Sequence, residues 1–265
     1  MEEFEFYHYS PSLTAAIIFT VLFALSAAAH LYQSFRLKAW FFIAFFLGCA
    51  FEVIGCIGRI ISARQSTEWT LPPFMLQSIF LLLGPTLMAA SIYMTLGRFI
   101  TCLDANMYSL VDAGMISKGF VIADIISILA QSTGGGILAA DKSLNGHKLG
   151  EAIIIAGLAI QIYFFAFFIT LLHVFYSAVV AKPTKKALSL RFSWRRYIQA
   201  LYVASSLIFV RSIFRIAEYA QGSDGELQSR EIYIYVLDIT LILLTTAIFN
   251  ILHPGQLVLA SKVEV

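Results

Sequence analysis

Apolar residues run through this chain in seven stretches, each long enough to cross a bilayer, with short polar or turn-forming breaks between them. They cover approximately 12–34, 39–61, 74–98, 118–140, 150–180, 197–219 and 231–252. A crossing needs about 20 mostly apolar residues, and a helix is the one open structure that satisfies its own backbone in hydrocarbon. The breaks carry the expected punctuation: Arg36 and Lys38, Pro72-Pro73, Asp141 to Lys148 with Asn145-Gly146, Lys182 to Arg196 with Pro183, Gly222 to Glu226, and Pro254-Gly255. The pattern predicts an all-α membrane protein, a seven-helix transmembrane bundle spanning residues 1–265 as one domain.

Composition sharpens this. Hydrophobic residues make up 59% of the chain and charged ones 13%, with a mean hydropathy of +0.81, against about 25% charge in an ordinary soluble domain. The implied partner is lipid. Net charge is only +2 and no long basic run occurs, which argues against nucleic acid. Orientation follows from the loops, since cytosolic loops hold the excess of Lys and Arg. The side bearing Arg36, Lys38, Arg98, Lys118, the 182–196 loop and Lys262 holds far more than the side bearing Arg64, Lys142, Lys148 and Arg230. The expected topology is N-terminus outside and C-terminus cytosolic, with Trp40, Trp69 and Trp194 as interfacial anchors. Met1 to Tyr9 lacks the basic n-region of a cleavable signal, so the first helix is expected to stay. Cys49 and Cys56 lie two turns apart on one helix, too far for a mutual disulfide, and all three cysteines, Cys102 included, read as structural.

An ionisable side chain in the bilayer core costs at least ~2.5–3.5 kcal/mol on the lenient insertion scale, so the polar residues inside the stretches are informative. The second stretch carries Glu52 and Arg59, the fourth Asp124, Ser127 and Gln131, the sixth Arg211, Arg215 and Glu218, the seventh Tyr235 and Asp238. Each set falls on one helical stripe. At 1.5 Å per residue, Glu52, Arg59, Arg211, Arg215, Glu218 and Asp238 converge on the outer half of the bundle, and Gln131 and Gln161 reach the midplane. Asp124, His30 and His173 lie nearer the cytosol. Two readings stand side by side: a buried ion-pair network, for instance Glu52 with Arg211 and Asp238 with Arg215, or a polar cavity for a substrate. Four acids face three arginines, so one carboxylate is left to hold an amine or move a proton. Gly84-Pro85 and Gly134 to Gly136 are expected to kink their helices or admit a close neighbour. The histidines show no HExxH or HxxxH spacing, and the glycine run is followed by no Lys-Ser/Thr; the pattern offers no zinc site, no ATP site, no cofactor and no enzyme chemistry.

The sequence resembles the fungal RTA-like family, also called lipid-translocating exporters, in Glu52-x-x-Gly55-x-x-Gly58-Arg59, Tyr93-Met94-x-Leu96-Gly97-Arg98, Asp124 followed by Gln131-x-x-Gly134-Gly135-Gly136, Gly157-x-x-x-Gln161, Arg211-x-x-Phe214-Arg215-x-x-Glu218-x-x-x-Gly222, Tyr235-x-x-Asp238 and His253-Pro254-Gly255. The resemblance implies a multi-pass protein of the fungal plasma membrane that exports, or gives tolerance of, sphingoid bases and related toxic amphiphiles, porphyrin among the family's cargoes. On this reading an amphiphile enters sideways and its head group meets Glu52, Arg59, Asp124, Gln131, Gln161, Arg211, Arg215, Glu218 and Asp238. The alternative is a seven-helix lipid receptor or sensor that meets a cytosolic partner through the basic 182–196 loop.

Overall fold

The computed structural model describes residues 7, 9–65, 68–140, 143–189, 193–222 and 225–257. Asp141, Lys142, Lys262, most of Met1 to Tyr9 and part of the 182–196 loop, all used above, lie outside these. Seven helices among the described residues are long and apolar enough to cross a membrane: α1 (Leu13–Leu37), α2 (Ile43–Gln65, entered through a 3-10 turn at Trp40–Phe42), α3 (Leu71–Cys102), α4 (Ala113–Ala140), α5 (Leu144–Ala181), α7 (Trp194–Ala220) and α9 (Glu231–Ile251). Two short helices, α6 (Lys185–Ser189) and α8 (Glu226–Ser229), lie in the connections. This is a multi-pass α-helical membrane protein.

Local chemistry sets several of these boundaries. The Ser12 hydroxyl accepts from the Ala15 amide at 3.3 Å and opens α1, and Lys38, in the left-handed region at φ 52°, closes it. Pro72 and Pro73 fall in the first turn of α3, where a missing N–H costs nothing. Asn145-Gly146 proves not to be a break. Ser143 caps the Gly146 amide at 3.1 Å, so α5 starts at Leu144 and absorbs the pair into its first turn.

Helices adjacent in sequence pack side by side, α9 returns to α1, and α3 also reaches α7 through the middle. Accordingly α3 is the most enclosed of the seven, with α1 and α4 the most peripheral. Ile17, Ile18, Val21, Leu25, Ile122, Ile126 and Leu129 on those outer helices are exposed, as side chains facing lipid should be. Close approach is bought by glycine. A Cβ on Gly48 would sit 2.6 Å from the Gly84 carbonyl oxygen, so α2 and α3 meet backbone to backbone. A Cβ on Gly134 would sit 2.6 Å from the Gly150 carbonyl oxygen of α5, whereas Gly135 and Gly136 face open space.

One end of the bundle gathers the basic connections: Gly255 packs on Leu37 and Ala39, and the Thr184 hydroxyl donates to the Leu103 carbonyl at 2.6 Å. The other end gathers Tyr7, residues 9–12 and the starts of α3 and α9. Of the three tryptophans, Trp40 is exposed and Trp69 lies against Tyr7. Trp194 departs from its expected role as an interfacial anchor: it is buried and donates to the Ala187 carbonyl at 3.0 Å, pinning α6 to α7. The three cysteines form no disulfide.

Candidate functional site: a charge cluster around the proline of the central helix

Pro85 has no N–H, so the carbonyl of Leu81, four residues back in α3, loses its helical partner. Arg211 of α7 takes that carbonyl: its Nη2 donates to the Leu81 oxygen at 2.5 Å and its Nε to Asp238 Oδ1 of α9 at 2.6 Å. The guanidinium is wholly buried. One turn on, Arg215 donates from Nη1 to Glu218 Oε2 at 2.6 Å and lies 3.5 Å from Asp238 Oδ2. Three helices are thus tied at mid-bundle by one proline's missing hydrogen bond and two arginines.

Glu52 does not join these pairs. The expected Glu52–Arg211 bridge is replaced by Arg211–Asp238, because α9 puts its carboxylate on the Nε side of the guanidinium while Leu81 occupies Nη2. Glu52 projects from α2 against Gly84 instead, where a Cβ would come within 2.6 Å of Glu52 Oε1. Glu52 is 1% exposed, and Oε1 makes no hydrogen bond among the described residues. Arg211 Nη1, Arg215 Nε and Asp238 Oδ2 are likewise buried without a hydrogen-bond partner. Counted by charge, the mid-bundle cluster holds Arg211 and Arg215 against Glu52, Glu218 and Asp238, one carboxylate in excess.

Arg59 belongs to a separate group nearer the N-terminal end. It donates to Glu231 Oε1 at 2.7 Å, to the Tyr9 hydroxyl at 3.0 Å and, through Nε, to the Tyr235 hydroxyl at 3.0 Å. Glu231 Oε1 also accepts the Ser12 amide at 2.7 Å. The Tyr7 hydroxyl donates to Gln77 Oε1 at 3.0 Å and lies 3.1 Å from the Ser62 hydroxyl, so Tyr7, Tyr9 and Ser12 close this end of the bundle. Burial raises the phenol pKa of Tyr7 and of Tyr9, with Arg59 pulling both back. Glu231, Tyr7 and Tyr9 were missed by sequence reasoning: Glu231 sits at a helix start, where an acid is unremarkable, and the tyrosines lie outside any helical period.

The splitting of Arg59 from Arg211 has a local cause. Residues Tyr235–Ile239 form a π turn inside α9. Its wider turn spreads Tyr235 and Asp238 further apart around the helix than an α-helical i, i+3 spacing does, and they reach different helices, α2 and α7.

The amide residues form a third group. Gln131 donates from Nε2 to the Ser127 hydroxyl at 2.6 Å and to Gln161 Oε1 at 3.2 Å; Ser127 donates to the Gly157 carbonyl at 2.7 Å; Gln161 donates to the Thr86 hydroxyl at 3.3 Å. Gly84, the Leu81 carbonyl that Pro85 leaves free, and Thr86 are thus the points of α3 that meet Glu52, Arg211 and Gln161. Asp124 stands apart, its carboxylate turned to the Tyr93 hydroxyl of α3 without reaching hydrogen-bond geometry. His30 is buried, its Nε2 3.2 Å from the Thr246 carbonyl oxygen, whereas His173 is on the surface. Among the described residues no three His, Cys, Asp or Glu side chains are grouped to hold a metal ion.

The family described as RTA1 like protein matches residues 45–261. The chain is 37% identical to Protein RTA1 of Saccharomyces cerevisiae over 95% of its own length and 85% of that protein. It is 32% identical to Protoporphyrin uptake protein 1 of the same yeast, over 94% and 91%, and 29% identical to Sphingoid long-chain base transporter RSB1, over 92% and 72%. No solved structure matches.

Proposed function

The chain belongs to the RTA1-like protein family, and on that premise we propose that it moves amphiphilic lipids across the membrane, holding the head group at the mid-bundle cluster. The observation that carries this reading is Glu52: a buried carboxylate whose Oε1 finds no donor among the described residues, in a cluster with one more acid than arginine. A buried carboxylate left unpaired is costly. A long-chain base supplies an ammonium and hydroxyls, the donors this group lacks, while its alkyl chain stays in lipid. Two relatives support the class of cargo, one named as a sphingoid long-chain base transporter and one as a protoporphyrin uptake protein. The unpaired Arg211 Nη1 and Arg215 Nε would suit the carboxylates of a porphyrin, so the cluster carries features for both.

On this account the head group enters between helices that part beside Gly84 and Pro85, the N-terminus is external and the C-terminus cytosolic, and the protein acts in the plasma membrane without covalent chemistry. Arg59, Gln131 and Gln161 frame the path; Asp124 lies beyond it. The test is ligand-induced stabilisation of the purified protein. A ligand at a hundredfold excess over its Kd stabilises by about 2.7 kcal/mol. Sphingosine is expected to raise the melting temperature of the wild type and to do so far less for Glu52→Gln. Ceramide, whose nitrogen is an uncharged amide, is expected to have little effect. Equal stabilisation of both proteins, or by both lipids, contradicts the assignment of Glu52.

A further inference from the structure

A cavity of about 540 Å³ opens at the basic end of the bundle, between α3, α4 and α6. Phe41, Met94, Arg98, Ser117, Lys186 and Leu257 are among its walls. It lies about 20 Å along α3 from Gly84, counting 1.5 Å per residue, and it owes nothing to the Glu52 cluster. Its position follows from how residues 182–189 fold. The Thr184 hydroxyl donates to the Leu103 carbonyl at the end of α3 and accepts the Ala187 amide at 3.0 Å, capping α6. Trp194 holds the other end of α6. This turns Lys186, half-buried, towards the cavity that Arg98 also lines, instead of leaving it on a free loop.

Among the described residues the cations here meet no acid. Arg98 lies over the Phe41 ring at 4.2 Å from its centroid, and neither it nor Lys186 forms an ion pair among the described residues. The acids of the neighbouring loop are Asp104 and Asp112. Asp112 accepts the Gly114 amide at 2.8 Å and so serves the start of α4; Asp104 is exposed. The Ser117 hydroxyl makes only a long contact, 3.5 Å, with the Tyr93 carbonyl. Two cations without an acid partner among the described residues and a hydroxyl thus share a cavity with Phe41, Met94 and Leu257. That combination suits a head group bearing a phosphate, with the start of its acyl chains against the apolar wall. Basic pockets between transmembrane helices on the cytosolic side recognise anionic head groups by the same physics.

We infer that this cavity binds the phosphate head group of an anionic phospholipid, at a site distinct from the mid-bundle cluster. The Tyr93-Met94-x-Leu96-Gly97-Arg98 segment gains a role on this assignment, since Met94, Gly97 and Arg98 all line the cavity.

Native mass spectrometry of the full chain, titrated with short-chain phosphatidic acid, phosphatidylcholine and inorganic phosphate, tests it. Each cation near an anionic lipid is worth about fivefold in affinity and two about thirtyfold. Phosphatidic acid is expected to bind the wild type well above phosphatidylcholine, Lys186→Gln to cut that preference about fivefold, and Arg98→Gln with Lys186→Gln to abolish it. Lys186 sits on a surface helix, so the single variant keeps the fold and gives a reading even if the double one does not. Equal binding of the two lipids, or a preference unchanged in Lys186→Gln, overturns the site. Displacement of phosphatidic acid by inorganic phosphate at comparable concentration overturns its assignment to a lipid and gives it to a soluble phosphate.

Discussion

Arg211 shows what a guanidinium needs when water is absent: a carboxylate on one edge, a backbone carbonyl on another, and enough burial to keep both in place. Removing its counter-ion strands the charge. Asp238→Ala is expected to destabilise the protein by about 3–5 kcal/mol, read as a lowered melting temperature in detergent. Glu52→Gln, which breaks no ion pair and keeps the side chain's shape, is expected to change it little. Similar losses in the two variants would mean that Glu52 is a structural partner too. At the other end of the bundle, His253 follows α9, and its Nδ1 accepts the Gly255 amide at 3.1 Å. Burial lowers its pKa to about 4, below the ordinary 6.5. The folded state then disfavours the imidazolium, so its contribution is complete above about pH 6.5 and is lost progressively as pH falls towards 4, at most about 3 kcal/mol. Melting curves from pH 7 to 4 should show this loss in the wild type and much less of it in His253→Asn, whose amide oxygen can also accept from Gly255.

The spans were legible because length and hydrophobic period are properties of each helix alone. So were the polar stripes and their approximate depth. Partnership was not: a stripe gives a face and a height, and Arg211 could equally have met Glu52 or Asp238. Two local features decided it, Pro85 freeing the Leu81 carbonyl and the π turn redirecting Asp238. The proline was visible in the sequence; the pairing of the Leu81 carbonyl it frees with a side chain 130 positions further on was not, and nothing in the residues of α9 announces a π turn. The run Gly134 to Gly136 offers a clean test at this scale. Gly134→Ala would push a methyl into the α5 backbone and is expected to cost about 1–3 kcal/mol. Gly135→Ala and Gly136→Ala meet nothing and are expected to be neutral or to gain up to about 1 kcal/mol from helix propensity. Comparable losses at all three would mean that α4 and α5 do not meet at Gly134.

Across the whole molecule, helices in sequence order around a central α3 place the basic connections at one end and Tyr7, Tyr9 and Glu231 at the other. On the proposed orientation, with the basic end inside, tags before Met1 and after Val265 are expected to be accessible from outside and from the cytosol respectively; tags on the same side would remove the odd number of crossings. The same arrangement puts Glu52, whose Oε1 has no hydrogen-bond partner among the described residues, at mid-depth beside Pro85 of α3, where on the proposed function a cargo's head group passes. The central claim is that this carboxylate holds a cationic head group in transit. The most direct measurement is the movement of a fluorescent long-chain base across proteoliposomes reconstituted with wild type or with Glu52→Gln, the two matched for melting temperature. The account predicts movement in the wild type well above protein-free vesicles and a return to near that background in Glu52→Gln; equal movement by the two proteins would contradict it.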